Sequence, residues 1–538
     1  MYSKVFITDG LDKTKPLFFD TETLGFYGKT RLVQVRQDNV AYEYDCFYCN
    51  IEEIKHFLKD FHLVGHNIHY DLNCVDFRRW LPRKIDDTLL MARLSLPDLE
   101  SFSLKSLSEY FNLQEKTEEG SSDWSNYALT EEQKEYAAND TLIVKQLFDL
   151  IATNELLNSY PYKLDIKSLA YSCIYSHRGL PLNRQNMLKL IRESKRVIEK
   201  SILPPDLNVN SFKQVREYLN VDNSSFEFLQ QLNTPEADAI IEKRQAFKNL
   251  AFLENLVNYQ FAYSIFNPNG AKTGRFTSKG TNELEPNYVN LQQIPGKLAA
   301  AYSVSHKDEY FVYCDYPALE IWCAAAIWAD RFQVKALLEK ADLHRRTASS
   351  MFNIPESEVT DDKRQIAKGC NFSLMYGAGA KRFAEIFINT KNYEAAKNAT
   401  ELRQKWLQVY SDIAEVQQEQ FSYFKHNTYR LVKTASGRQL RANSPTEALN
   451  FQVQGTGAEC TKLSLLLLQS RGITVTATVH DSISIVAQSL KEAEELKETL
   501  AYCMNEGYAR TIRNCKENSL RLSVEVKIGE TYNGKHIN

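Results

Sequence analysis

The sequence predicts an α/β multidomain protein, and three observations carry that expectation. A chain of 538 residues is too long for one hydrophobic core, so two to four domains are expected. Both ends of the chain mix short strand patterns with helical ones, whereas the middle is helical and poor in glycine. Two sets of acidic residues stand out: Asp20, Glu22, Asp71 and Asp140 near the N-terminus, and Asp315 and Asp481 in the C-terminal half.

Composition excludes several classes. Hydrophobic residues make up 43% and charged residues 25%, the values of a soluble globular protein. There is no run of eighteen apolar residues, so no membrane span is expected. The N-terminus, MYSKVFITDG, lacks the apolar stretch and cleavage pattern of a secretory signal. Ten cysteines are scattered, and the one close pair, Cys46 and Cys49, has no second pair nearby to complete a zinc site. Reduced thiols in a cytosolic protein are expected. A net charge of −3 does not announce a nucleic-acid binder, nor does it exclude one, because only the local field steers a polyanion.

Taken in order, residues 1–155 read as α/β. An apolar strand, Pro16 to Phe19, runs into Asp20. Residues 31–45 alternate apolar and polar side chains and predict a strand pair. Residues 63–75 predict a strand end followed by a helix. Residues 130–151 begin with a capping-box pattern, Thr130 with Gln133, and continue at helical spacing. Within 156–270, the segments LKLIRESKRVIEKSI and FLQQLNTPEADAIIEKRQAFKNLAFLENLV predict long helices, most simply a helical linker domain. Residues 271–538 mix strands and helices.

Asp20 and Glu22 lie two apart at a strand end, where residues i and i+2 share a face. Two carboxylates on one face repel unless a cation sits between them. Alone, such a pair is more often a solvated loop. The pattern sharpens downstream. GHNIHYD places Asn67 and Asp71 four apart, on one expected helix face, and YAAND does the same for Tyr136 and Asp140. This order, with IDDTLLMARL at 85–94, resembles the 3′–5′ exonucleases with four catalytic acids. The resemblance implies that Asp20, Glu22, Asp71 and Asp140 hold two Mg²⁺ or Mn²⁺ ions. Asp140 would also lie near the attacking water and Tyr136 would orient it, on single-stranded 3′ ends. Two such ions, typically about 3.5–4 Å apart, activate the nucleophile and stabilise the leaving oxygen.

In the C-terminal half, an apolar strand ends at Asp315 and a helical stretch follows. By itself Asp315 is best read as a helix N-cap. DDKRQIAKGCNFSLMYG (361–377) is more specific. A spacing of four advances about 400° on a helix, so Arg364, Lys368, Phe372 and Tyr376 form one stripe. Its cations suit phosphate oxygens and its aromatics suit a base. An amphipathic helix with a buried back half would explain the aromatics but not the cations on the same stripe. TVTATVHDSISIVA (474–487) predicts a β-hairpin with His480 and Asp481 at or near its tip, where an Asp is usually only a turn residue.

Together these segments resemble family A DNA polymerases of the bacterial DNA polymerase I type. The family pattern DYSxxE, RxxxKxxNFxxxYG and VHDE corresponds to Asp315 through Glu320, Arg364 through Gly377, and Val479 through Ser482. TGRFTS (273–278), NLQQIP (290–295), ADLHRRTA (341–348) and NFQVQGTGAE (450–459) match further family segments in the right order. The resemblance implies an RNase H-like exonuclease domain at 1–155, a mainly helical thumb and the start of the palm at 156–309, palm at 310–340, fingers at 341–430 and palm again at 431–538. No 5′-nuclease domain is expected ahead of it.

The roles implied residue by residue are as follows. Asp315 and Asp481, with the backbone carbonyl of Tyr316, bind two catalytic Mg²⁺ (or Mn²⁺) ions. Arg364, Lys368 and His344 hold the triphosphate, and Lys368 also serves to protonate pyrophosphate. Phe372 packs on the nucleotide sugar. Tyr376 pairs with Glu320, which would block a 2′-hydroxyl. Arg275, Asn450, Gln454 and His480 contact the primer terminus or the minor groove. The chemistry is in-line phosphoryl transfer, in which positioning and charge neutralisation do most of the catalysis.

The chain departs from the pattern at Pro317 and Ala318 (usually Ser-Gln), Trp322 (commonly basic), Gln365 (Arg), Ser482 (Glu) and Thr446 (often Arg). None removes a metal ligand, but fidelity, sugar discrimination and base preference are where they would act. The expectation is a monomeric DNA-dependent DNA polymerase with 3′–5′ proofreading. It would act on primer–template DNA and dNTPs, with replication accessory proteins, in the cytoplasm of a bacterium or a phage-infected cell, with no membrane association. A compact bacteriophage replicase tuned to a modified base is one form of it. An exonuclease on a non-catalytic DNA-holding scaffold is the alternative. A single-subunit RNA polymerase shares the palm, but Glu320 and the proofreading domain speak against it. A single-strand-binding protein would not need two sets of metal acids.

Overall fold

A computed structural model describes residues 11–77, 81–113, 123–280, 287–306, 308–389 and 393–536. The N-terminal ten residues, read above as free of a secretory signal, lie outside the described residues. Leu17, Phe18 and Phe19 are apolar and suit a pleated, buried surface, and Pro16–Leu24 forms strand β1. Strands β2 (Lys29–Gln37) and β3 (Val40–Asp45) follow as the expected pair. Strands β4 (His62–Gly65) and β5 (Lys84–Asp87) add in parallel on the other side, giving the order β3-β2-β1-β4-β5. Helices α1 (Ile51–Leu58) and α2 (Ile68–Cys74) lie in the connections that these parallel pairings require.

Helices α3 (Thr88–Ser95), α4 (Leu104–Tyr110) and α5 (Glu131–Ile151) complete this unit. The capping box of Thr130 and Gln133 forms as its spacing predicts. α5 packs on β1, and its Ile143, Val144 and Leu147 share a core with Leu17 and Phe19. One expectation fails here: Asn67 does not join α2. It is the N-cap, left-handed at φ 62°, a conformation that Asn tolerates better than most residues. Its N–H donates to Asp87 Oδ1 at 3.0 Å.

Helix α6 (Asn154–Asn158) leads into α7 (Tyr160–Tyr175). α7 ties the halves together: Tyr162, Ile166, Leu169 and Cys173 enter the N-terminal core, while Tyr171 and Tyr175 enter that of the remainder. After strand β6 (Leu180–Pro181) come α8 (Arg184–Glu199), α9 (Phe212–Leu219), α10 (Phe226–Leu232) and α11 (Pro235–Leu256). The helical run expected from Phe228 onward is broken. Asn233 turns left-handed at φ 50°, Thr234 caps α11 by accepting from Ala237 N, and Pro235 opens its first turn. Strand β7 (Phe261–Ala262) pairs with β6, and β8 (Ile265–Asn267) with β9 (Thr277–Lys279); the loop between the latter two carries Arg275.

Strand β10 (Tyr310–Asp315) opens the second sheet and is followed by α12 (Leu319–Trp328), α13 (Arg331–Leu338), α14 (Leu343–Phe352) and α15 (Asp361–Leu374). Next come α16 (Ala380–Asn389), α17 (Tyr393–Lys397), α18 (Ala399–Val409) and α19 (Ser411–Tyr423), then the hairpin of β11 (Arg430–Lys433) and β12 (Gln439–Ala442). Helix α20 (Pro445–Gln469), strands β13 (Ala477–Val479) and β14 (Ser482–Ala487), helix α21 (Leu490–Thr511) and strand β15 (Val526–Gly529) close the chain. The sheet order is β13-β14-β10-β15, antiparallel throughout. α20 packs on both α21 and α12, and α21 packs on β10. Phe311, Val312, Leu465, Leu500 and Met504 are fully buried there, each contributing roughly 1.5–3 kcal/mol of burial. Asp315 and the hairpin tip are thus anchored on a rigid base.

Candidate active sites

On β1 the alternation of the strand sends Asp20 and Glu22 to one face, and the pairing with β2 shifts register immediately after Glu22. α5 lies across that face and delivers Asp140. Oxygens of Asp20, Glu22 and Asp140 lie within 4.8 Å of one another, an all-oxygen set that suits a hard divalent cation. Asp71, on α2, is buried and accepts a 2.7 Å hydrogen bond from the Thr21 hydroxyl. Burial, and then the charge of Asp20, push its carboxyl well above the usual carboxylate range. Tyr136 lies one turn before Asp140 on α5. Burial and the charges of Asp140, Glu22 and Asp20 hold its phenol protonated. Asp20, Glu22 and Asp140 therefore come together with Tyr136 within their field, whereas Asp71 stands outside that oxygen cluster, bonded to Thr21 and felt by Asp20 through its charge. Thr21 was not anticipated, although its place between two motif acids was a signal.

At the second site the strand register does the positioning. Asp315 is the last residue of β10 and pairs across from Ser482, the first residue of β14. Val479 pairs with the same Ser482 from β13. His480 and Asp481 are therefore the two-residue tip of the expected hairpin, beside Asp315. His480 sits left-handed at φ 54°. Burial, and then the neighbouring Asp481, raise the Asp315 carboxyl; burial raises that of Asp481, partly offset by Arg275. The Ser482 hydroxyl donates to Val479 O at 2.8 Å and closes the hairpin. Tyr316 turns its ring into the core, where its hydroxyl donates to Met504 O at 2.6 Å.

Arg275 reaches this cleft from the β8–β9 loop. Its Nη2 is 2.7 Å from Glu320 Oε1 and 3.7 Å from Asp481 Oδ2. The Tyr376 hydroxyl donates to the other oxygen of Glu320, so the expected Tyr376–Glu320 pair forms. The helix stripe needs one correction. α15 ends at Leu374, with Met375 as C-cap, and the chain turns through Gly377 at φ 77°, whose N–H donates to Leu374 O at 2.9 Å. Arg364, Lys368 and Phe372 lie on one helical face, whereas Tyr376 belongs to the turn beyond it. Phe372 is 39% exposed, so this aromatic is open to solvent.

Asp342 N-caps α14 and binds Arg364 Nε at 2.7 Å. His344 packs at 5.8 Å between ring centres from Phe372. Burial and the cations of Arg364 and Lys368 push its imidazole down to about 4. Asn450 and Gln454 occupy successive turns of α20, half-buried; among the described residues no hydrogen bond joins them to Asp315 or Asp481. Asp342 and Asn371 lie inside the 341–348 and 361–377 segments, but their spacing alone assigns them no role. Among the departures, Pro317, Gln365 and Thr446 are exposed, Ala318 is exposed and left-handed at φ 49°, and Trp322 packs edge-on at 6.0 Å against Tyr508.

Comparison with known proteins gives consistent matches. The family described as DNA polymerase family A matches residues 186–534, and the one described as 3′–5′ exonuclease matches residues 6–154. DNA polymerase I of Aquifex aeolicus is 28% identical over 545 residues, covering 92% of each chain. The thermostable DNA polymerase I of Thermus aquaticus is 28% identical over 320 residues, 55% of this chain and 36% of that one. DNA polymerase I of Helicobacter pylori is 23% identical over 485 residues, 82% of this chain and 53% of the other. This chain thus spans nearly all of the first relative and about a third to a half of the other two. Among solved structures, the POL domain of Pol1 from M. smegmatis, in complex with DNA primer–template and dNTP, superposes with a TM-score of 0.73. The match covers 97% of this chain and 95% of that one at 18% identity, a likeness of fold.

Proposed function

The chain belongs to DNA polymerase family A and carries a 3′–5′ exonuclease domain, and from that premise we propose that it extends primers on a DNA template with dNTPs and proofreads the 3′ end. The observation that carries this reading is the register of β10 and β14, which sets Asp315 beside Asp481. Divalent ions, Mg²⁺ or Mn²⁺ and two per site, held by Asp315, Asp481 and the Tyr316 carbonyl, and by Asp20, Glu22, Asp71 and Asp140, would supply Lewis acidity and charge neutralisation.

The protein's own residues do the rest. Arg364 and Lys368 present cations to the triphosphate from one face of α15, with His344 beside them. Lys368 protonates the departing pyrophosphate. Phe372 lies under the nucleotide sugar. Glu320, held from two sides by Arg275 and Tyr376, places a fixed carboxylate where a 2′-hydroxyl would intrude. Arg275, Asn450, Gln454 and His480 hold the primer terminus and minor groove. In the exonuclease site the protonated Tyr136 phenol hydrogen-bonds and orients the attacking water beside Asp140.

On this reading the exonuclease spans 1–155, the thumb and start of the palm 156–309, the palm 310–340 and 431–538, and the fingers 341–430. The partners are primer–template DNA and dNTPs, with replication accessory proteins, and the working unit is a monomer. No helix among the described residues is long and apolar enough to cross a membrane, and we assign the enzyme to the cytoplasm with its template. The test is a 5′-labelled primer on a DNA template with Mg²⁺, given dNTPs, rNTPs or no nucleotide. Extension with dNTPs alone and shortening without nucleotide is the expected result. Shortening without extension would reduce the second site to a scaffold.

A further inference from the structure

A buried amide lies behind the triphosphate-binding face of α15. Asn371 is 3% exposed, and Trp406 on α18 and Thr347 on α14 are 1% and 0% exposed. The Trp406 indole N–H donates to Asn371 Oδ1 at 2.8 Å. An indole nitrogen can only donate, so the orientation of the Asn371 amide follows from its partner without sight of any hydrogen. Its Nδ2 must then be the atom 3.0 Å from His344 Nδ1 and 3.1 Å from Thr347 Oγ1. Thr347 directs its hydroxyl to Leu343 O at 2.7 Å and meets the Tyr410 hydroxyl at 2.7 Å. It can therefore accept from both Asn371 and Tyr410. Every bond in the network has one consistent direction.

We propose that Asn371 is a positioning residue that fixes the tautomer of His344, so that this histidine offers an N–H from Nε2 to the nucleotide phosphates. An amide nitrogen has no lone pair to give, so His344 Nδ1 must accept, and a neutral ring whose Nδ1 accepts carries its proton on Nε2. Among the described residues none bonds Nε2. The surroundings of the ring agree with a neutral state: burial disfavours a positive charge on it, and Arg364 and Lys368 of α15 add to this against the opposing pull of Asp342. Without the Trp406–Asn371 pair, the ring could equally hold its proton on Nδ1 and turn a lone pair toward the phosphate oxygens. Placing a polar amide in the fingers core carries a desolvation penalty that an apolar residue would avoid. A directional task accounts for its presence.

This inference rests on the reading of His344 as a phosphate contact, and its test has a readout independent of that reading. In the full-length protein with ¹⁵N-labelled histidine, the His344 signal is identified by its loss in His344→Gln. Its two-bond ¹H–¹⁵N pattern at pH 7 should be that of the Nε2–H tautomer, and Asn371→Ala should abolish that exclusivity. A Nδ1–H or doubly protonated ring in the wild-type protein would overturn the proposal, whether or not the protein extends primers. The kinetic arm uses the fact that a Gln amide nitrogen mimics Nε2–H and an Asn amide mimics Nδ1–H. His344→Gln should retain a KM for dNTP closer to wild type than His344→Asn. Asn371→Ala should raise that KM about tenfold, the loss of one charge-assisted hydrogen bond, with kcat less affected. In the His344→Gln background the same Asn371→Ala change should add little. An equal rise in both backgrounds would show that Asn371 merely supports the fold.

Discussion

Substituting Asp165 with Asn should destabilise the polymerase half more than any surface change in this chain. Asp165 is wholly buried on α7; its Oδ1 lies 2.8 Å from Lys462 Nζ and its other oxygen pairs with Arg438. Glu459 lies on the far side of Arg438, at 3.7 Å from its Nε. Two carboxylates and two cations balance, with side-chain exposures between 0% and 7%. Asn keeps the shape of Asp165 and leaves one uncompensated cation in the core. Removing one partner of a buried pair costs about 3–5 kcal/mol.

The lower end is expected, because Lys462, which burial already pushes down to about 8, can release its proton. About 3 kcal/mol at a urea slope of about 3 kcal/mol/M moves the midpoint by about 1 M. The assay is urea unfolding at pH 7, followed with a probe in the polymerase half, since two domains need not unfold together. Combining Asp165→Asn with Lys462→Met should recover most of the loss. A single variant that unfolds within about 0.3 M of wild type, or a double variant worse than the single one, would refute the reasoning. The change should also weaken primer–template binding. Lys462 Nζ donates to Asn269 Oδ1 at 2.8 Å, and a Cβ at Gly274 would stand 3.3 Å from that Nζ, so the cluster braces the loop that carries Arg275.

Three further outcomes are expected. Glu320→Ala should raise ribonucleotide incorporation about tenfold or more, measured as the ratio of kcat/KM for rNTP and dNTP, and should slow extension because Arg275 is left facing Asp481; unchanged discrimination would remove Glu320 from the gate. Asp87, buried at the N-cap of α3, has its carboxyl pushed up to about 6 from 3.8 by burial. Between those values the folded chain keeps a proton that the unfolded chain has released, so stability falls as pH rises, by roughly 3 kcal/mol once pH exceeds about 6. Asp87→Asn keeps the cap and should stabilise the exonuclease domain in urea at pH 7 but not below pH 4. Ala318→Gly should stabilise the fold by about 0.5–1 kcal/mol by relieving the left-handed backbone at φ 49°, and an earlier unfolding midpoint would contradict this.

Elements set by near neighbours in the chain are legible in the sequence. The Thr130–Gln133 box, the alternation through β2 and β3, and the hairpin at His480 and Asp481 depend on neighbours in the chain and form as expected. The misreadings come from single residues with special backbones. Asn67 accepts a left-handed φ and stays outside α2, and Asn233-Thr234-Pro235 ends one helix and starts another. Gly377 turns the chain so that Tyr376 lies beyond α15. The run Asn-Thr-Pro held the needed signal: a left-handed stop, a cap and a first-turn proline in succession. The Asp20–Glu22–Asp140 cluster and the Asp315–Asp481 pair were legible because each member sits in a patterned segment. The Asp165–Arg438–Lys462 cluster was not, because its members are far apart in the chain and each looks like a solvated charge until the fold buries it. The directed network from Tyr410 through Asn371 to His344 was hidden for the same reason.

On the proposed function, two separate carboxylate sites, one building DNA and one trimming it, share this chain. The most direct measurement follows a labelled primer with Asp481→Asn and with Asp20→Ala plus Glu22→Ala. The first variant should shorten the primer without nucleotide and never extend it with dNTPs. The second should extend it and never shorten it. If either substitution abolished both activities in a protein that still folds, the two sites would not be independent and the account would fail.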